Sequence, residues 1–306
     1  MKLRILLRPS LIAVFTFSFY VAFAHPGSGI VVDEHGYVFF QDSAARTIWQ
    51  IAPDGKVSAC SDKTGGHWMA MDAKDRFARS PVKLIERIPP TEHSPALIIA
   101  DGGAPITISP EGLLYYGLNI LNDGKVAVGI TRVSPNGKQE LFAPTLATAI
   151  EKLGVTGLAS GSDGAVYAAC LTDVIKLQTN GIFTTLASCS TVKDCDSDAP
   201  TPFLRGLDVD ENGVVYVAAT GCRCVVTISP SGKVETILKA ERPWSPTGVA
   251  VRDGNIYVLE YTHANGAFKE GWLPRVRKRS RDGTVTMLAS ISEARQQQQP
   301  NRVIIK

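Results

Sequence analysis

Apolar and polar positions alternate along this chain in short runs, broken by glycine turns, and one phrase of that rhythm returns four times. Gly206-Leu-Asp-Val-Asp-Glu-Asn-Gly-Val-Val-Tyr-Val-Ala has the period of two a strand requires on either side of a polar turn. Gly29-Ile-Val-Val-Asp-Glu-His-Gly-Tyr-Val-Phe-Phe, Gly157-Leu-Ala-Ser-Gly-Ser-Asp-Gly-Ala-Val-Tyr-Ala-Ala and Gly248-Val-Ala-Val-Arg-Asp-Gly-Asn-Ile-Tyr-Val-Leu repeat it. A second series of turns falls between these phrases: Pro53-Asp-Gly55, Pro135-Asn-Gly137, Thr179-Asn-Gly181, Pro230-Ser-Gly232 and Asp282-Gly283. Asn-Gly and Asp-Gly between short strands are hairpin signals, because such turns need positive φ.

Two turns per unit mean four strands per unit, and a unit of four strands repeated along a chain predicts an all-β propeller. Gly55 and Gly137 stand two periods of about 41 residues apart, which leaves room for one degenerate unit. His67-Trp-Met-Ala-Met-Asp, Val82-Lys-Leu-Ile-Glu-Arg and Ala96-Leu-Ile-Ile-Ala supply it. The expected architecture is a six-bladed β-propeller of four-stranded antiparallel blades. The blades fall at about 27–62, 65–101, 104–145, 154–188, 203–240 and 245–290, each running from innermost strand A to outermost strand D. One propeller over 25–291 is expected, with a polar tail over 292–306 that carries Gln296 to Gln299.

The repeated Gly-apolar-x-apolar-Asp-x-x-Gly-x-apolar-Tyr-Val motif resembles the NHL type. The chain as a whole is similar to the six-bladed group that includes the senescence marker protein/gluconolactonase family. That resemblance implies a divalent metal in the central channel, held by a Glu at the start of the first blade and an Asn and an Asp just before the Gly of strand A motifs. In this chain those positions carry Ser28, Thr156 and Arg205. None is the ligand the resemblance implies, and Arg205 would put a permanent cation where the metal should sit.

The first 24 residues read differently from the rest. Lys2, Arg4 and Arg8 precede the apolar run Leu11 to Ala24, which ends in Ala22-Phe23-Ala24, as in a secretory signal peptide. The run is shorter than the ~20 residues of a spanning helix, so cleavage before His25 is expected, with no integral membrane segment afterwards. Cleavage removes three positive charges, which takes the net charge from +3 to zero. A neutral chain gives no electrostatic reason to bind nucleic acid. The expected product is an exported, periplasmic or secreted monomer.

Export bears on the six cysteines. Cys189 and Cys195 fall in the loop from blade 4 to blade 5, and Cys222 and Cys224 flank a turn in blade 5. A bridge between these two segments would pin a long loop, with the partners left open. Cys60 lies across the propeller and is expected to stay unpaired.

Strand order places D-to-A and B-to-C connections on one face. The long segments, 117–129, 188–201 and 261–274, gather there, which marks it as the expected binding face. On it, Glu260 and His263, with His67, carry the minimum for acid/base work, and Arg205, Tyr261, Asn265 and Trp272 supply candidate ligand contacts. Asp194, Asp196 and Asp198 begin like a calcium loop, but Ala199 and Arg205 stand where the required Gly and Glu should be. A solvated acidic loop accounts for them as well. A second hard-to-place feature is His25, whose amine and imidazole would together chelate copper after cleavage. No G-x-S-x-G elbow is present. Three readings stand: a binding scaffold for a small anionic ligand or a partner protein; a gluconolactonase-like hydrolase or lyase with a non-standard site and a divalent metal such as calcium; and a component of an envelope assembly.

Overall fold

The computed structural model describes residues 26–61, 66–81, 85–90, 95–100, 104–122, 125–143, 154–189, 192, 195, 202–262 and 272–291. The strands form six blades. Blade 1 comprises β1 (Ile30–Val32), β2 (Val38–Asp42), β3 (Thr47–Ile51) and β4 (Val57–Ser61). Blade 2 contributes β5 (Met69–Asp72), β6 (Ile85–Ile88) and β7 (Ala96–Ala100). In blade 3 are β8 (Ile106–Ile108), β9 (Leu114–Asn122), β10 (Lys125–Val133) and β11 (Gln139–Leu141). Blade 4 holds β12 (Val155–Ser160), β13 (Val166–Cys170), β14 (Asp173–Leu177) and β15 (Phe183–Ser188). Blade 5 runs through β16 (Leu204–Val209), β17 (Val215–Ala219), β18 (Cys224–Ile228) and β19 (Val234–Lys239), and blade 6 through β20 (Trp244–Arg252), β21 (Asn255–Thr262), β22 (Pro274–Arg279) and β23 (Val285–Ser290). Five blades are antiparallel meanders in sequence order. The innermost strands β1, β5, β8, β12, β16 and β20 touch in a ring that closes from β20 onto β1. The architecture is the six-bladed propeller expected from the repeat.

Each meander is built by its two turns. In blade 5 the Asp210 carboxylate accepts from the N–H of Asn212 and of Val214, both at 2.9 Å, while Gly213 takes φ +75°. A side chain there would be strained in the left-handed region, which explains the glycine two-thirds through each A-to-B phrase.

Blade 2 lacks both glycine turns and departs from the expected A-to-D order. Its described strands run β5-β7-β6, so the later strand slots between the two earlier ones. Composition gives the reason. An inner strand is covered on both faces and must be apolar throughout, while an edge strand tolerates charge. Ala96, Leu97 and Ile98 of β7 are fully buried, whereas β6 carries exposed Glu86 and half-buried Arg87. Asp72 turns the chain after β5, accepting from the N–H of Arg76 and of Phe77, and seats Phe77 in the core.

A second correction concerns 117–129, expected as a long loop. It is a hairpin: β9 and β10 pair continuously from Leu114↔Val133 to Asn122↔Lys125. Asp123-Gly124 between them is a two-residue hairpin signal like the others, so the strands simply extend beyond the blade.

The core lies between blades rather than in one centre. Blades 6 and 1 share Phe40, Trp49, Leu259, Tyr261 and Trp272, while blades 4 and 5 share Tyr167, Val174, Leu204, Val217 and Val226. Among the described residues no helix is long and apolar enough to cross a membrane.

Candidate functional site

The site is built where the innermost strands begin. In blades 4, 5 and 6 the pairing of strand A with strand B slips there, between Val155 and Gly157, Leu204 and Leu207, and Pro246 and Gly248. Such bulges insert a residue and re-aim a side chain. The repeat register makes Ser28, His67, Ala104, Thr156, Arg205 and Thr247 equivalent, so these six positions form one ring at the mouth of the channel.

The glycine following this position in the motif is required by crowding, not by φ. A Cβ on Gly206 would lie 2.8 Å from Gly248 Cα, 2.9 Å from Thr247 O and 3.1 Å from Ser28 O. Gly157 and Gly248 are equally hemmed in, by Arg205 O and Ser28 O. The first motif glycine therefore lets neighbouring blades close around the channel.

Side chains and backbone at the ring stitch blades together. Thr247 Oγ1 donates to Gly27 O at 2.7 Å, and Thr220 Oγ1 to Pro246 O at 2.7 Å. His67 O accepts from Ser28 N–H at 2.7 Å and Gly29 N–H at 2.8 Å, and its half-buried ring lies beside Trp68. Thr156 Oγ1 donates to Ala169 O at 3.1 Å.

Arg205 stands apart from these ties. It is 5% exposed, yet no carboxylate pairs with it among the described residues. One nitrogen, Nη1, donates to Pro26 O at 3.2 Å, and the Phe203 ring covers the guanidinium at 4.9 Å. Nε is buried with no partner among the described residues. Burial pulls the guanidinium down to about 9, which still leaves it a cation at neutral pH. Ser28 Oγ, on the chain segment that Arg205 touches, is likewise buried without a partner. An unpaired buried charge costs several kcal/mol, so natural chains rarely keep one without use.

Further positive charge lies where blades 5 and 6 meet. Arg223 Nη1 donates to Ser245 Oγ at 3.3 Å, and Arg275 packs over the Trp244 ring at 4.1 Å. Glu260 is wholly buried and bonded to two guanidiniums, Arg275 Nε at 2.6 Å and Arg277 Nη2. Its carboxylate is thus committed to holding β21 and β22 together. Tyr261 and Trp272, expected as ligand contacts, lie in the core between blades 6 and 1 at 0% and 1% exposure. The Tyr261 hydroxyl donates to Gln41 O and so ties blade 6 to blade 1. His263, Asn265, Asp194, Asp196 and Asp198 lie outside the described residues.

Below the ring runs a channel of about 200 Å³, lined by all six innermost strands. Asp208 is the carboxylate in its wall. It accepts from Val251 N–H at 2.7 Å and Val209 N–H at 2.8 Å, and burial raises it to about 6. Sequence reasoning passed over Asp208, although it occupies a place where the other strand A phrases carry Val31, Ala70, Thr107, Ala159 and Ala250.

Ser28, Thr156 and Arg205 are thus placed on one ring, as the family register implies, but a guanidinium and two hydroxyls do not fit a divalent cation. Among the described residues no group of three or more His, Cys, Asp or Glu is placed to hold a metal. The cysteines behave as expected for the blade 4–5 loop: Cys195 and Cys222 are bonded, with Cα atoms 4.6 Å apart. Cys60 is a free thiol.

No protein-family model matches the chain, and no curated protein matches it in sequence. Among solved structures, the fold is similar to that of a luciferin-regenerating enzyme, with TM-score 0.56 and 17% identity over 87% of this chain and 92% of that one. It is also similar to a gluconolactonase from Xanthomonas campestris, with TM-score 0.52 and 14% identity over 77% and 83% of the two chains. A virginiamycin B lyase from Staphylococcus aureus aligns at TM-score 0.49 and 14% identity over 86% and 84%. At these identities the likeness is one of fold: a six-bladed β-propeller.

Proposed function

We propose that the chain is an exported propeller that binds a small anionic ligand, above all a carboxylate, at the mouth of its channel, with Arg205 as the anchoring cation. The observation that carries this reading is a guanidinium 5% exposed with no carboxylate partner among the described residues. With Nη1 engaged by Pro26 O and one face covered by Phe203, the free edge is Nε and Nη2. That edge matches the two oxygens of a carboxylate side-on. The Ser28 hydroxyl, buried without a partner two residues from the Pro26 carbonyl that Arg205 holds, would supply a third donor. Export is supported by the pattern of residues 1–24 and by the Cys195–Cys222 bridge, since disulfides belong to oxidising compartments.

The test is a thermal-shift series with acetate, malate, gluconate and inorganic phosphate at matched ionic strength, on the wild type and on Arg205→Met. At 100 times its dissociation constant, a ligand adds ~2.7 kcal/mol of stability. A shift of roughly 5 °C in the wild type, absent in Arg205→Met, is expected. Without ligand, Arg205→Met should be as stable as the wild type or more so, because it removes a buried unpaired charge. A wild type indifferent to all four anions, or a Met variant that responds equally, removes the basis of the reading.

A further inference from the structure

The Cys195–Cys222 bridge has two thiols for neighbours. Cys189 follows β15, where its N–H donates to Thr172 O at 2.7 Å, and Cys224 opens β18. Both are buried, at 1% and 2% exposure, in the apolar cluster that contains Cys222 and packs against Cys195. The two sulfurs lie within electrostatic reach of each other. Cys189 precedes Cys195 in sequence while Cys224 follows Cys222, so a bond between them would enclose the existing bridge.

We infer that Cys189 and Cys224 form a second disulfide, nested outside Cys195–Cys222, when the chain folds in an oxidising compartment. The other buried thiol is excluded as a partner by sheet geometry. Cys170 lies on β13, whose side chains alternate between the two faces of blade 4. Its side chain packs in the cluster between blades 3 and 4, on the opposite face of blade 4 from the cluster that holds Cys189 and Cys224.

In the bond-forming step two S–H bonds break and one S–S bond forms. Two electrons and two protons pass to a disulfide-bearing protein oxidant, which leaves as its dithiol. Timing matters, because the thiolate is the reacting species. Once the core has closed, burial holds the Cys189 thiol at about 12 and the Cys224 thiol at about 11, where neither ionises. The bond therefore forms during folding, before this core excludes water. It would complete a two-rung clamp on the segment leading into Arg205. The end of that segment is already seated on the 220–222 turn, through Gly221 N–H to Pro202 O at 2.8 Å and Thr220 N–H to Phe203 O at 3.2 Å.

The sequence makes the test direct. Lys193 separates Cys189 from Cys195, and Arg223 separates Cys222 from Cys224, so trypsin releases the four cysteines on four peptides. The full chain, secreted through an oxidising compartment, is denatured in excess alkylating reagent without reductant, digested and mapped by mass spectrometry. The expected result is 177–193 joined to 224–233 and 194–205 joined to 206–223, with label only on Cys60 and Cys170. In Cys189→Ser, label should appear on Cys224 and leave the Cys195–Cys222 pair intact. Label on both Cys189 and Cys224 in the wild type, or a bond from either to Cys60 or Cys170, overturns the inference.

Discussion

Gly206→Ala tests the claim that the first motif glycine, present in blades 1, 4, 5 and 6, lets neighbouring blades meet. The added methyl carbon would face Gly248 Cα at 2.8 Å, Thr247 O at 2.9 Å and Ser28 O at 3.1 Å. Carbon contacts are favourable at about 3.5–4.0 Å, so all three are repulsive together. A Cβ has no rotamer with which to escape. Relief requires moving the starts of blades 6 and 1, which Thr247 Oγ1 ties to Gly27 O. Overpacking a core typically costs 1–3 kcal/mol. With three backbone partners on two other blades, the upper half of that range is expected, about 2–3 kcal/mol, against a small helix- or strand-propensity gain from Ala. Gly154→Ala is the control, since among the described residues nothing lies within 4 Å of its added methyl. Urea unfolding followed by tryptophan fluorescence reads both, and the control should stay within about 0.5 kcal/mol of wild type. If Gly206→Ala also stays within that margin, the crowding argument is wrong.

Two further outcomes follow from the buried charges. Glu260→Ala leaves Arg275 and Arg277 without their carboxylate in the interior, and should lower stability by about 3–5 kcal/mol in the same assay; a loss below 1 kcal/mol would mean that the arginines reach solvent. Asp208 titrates at about 6 in the fold and near ~3.9 in the unfolded chain, so the folded state binds its proton more tightly. Its contribution is therefore fully present below about pH 4 and lost as pH rises through about 6. Wild-type stability should fall relative to Asp208→Asn by about 1–3 kcal/mol between pH 4 and pH 7, and parallel curves for the two proteins would refute it.

Much of this molecule was legible before its coordinates, and the reason is locality. Alternation and a Gly turn are properties of a dozen consecutive residues, so the phrases at Gly29, Gly157, Gly206 and Gly248 announce hairpins, and their recurrence announces blades. The cysteine clusters at 189–195 and 222–224 foretold a tie between two segments, and the tie is there. What lay beyond reach is contact between blades. Strand order in blade 2 is settled by which strand other blades bury, so β7 displaces β6 although both read as strands. Glu260, Tyr261 and Trp272 have the composition of a binding site, and only packing reveals that two arginines, a backbone carbonyl and an apolar core claim them. Arg205 is the converse. The repeat register placed it at the channel mouth, but that its charge is buried and unpaired depends on Pro26 arriving from the far end of the chain, while Phe203 two residues away covers one face. Sequence alone determined the glycine-turn hairpins and the six-fold repeat, because hydrogen-bonded turns are local; tertiary structure decided the strand order of blade 2 and which polar groups stay unsatisfied, because burial is a property of neighbours the chain brings from far away.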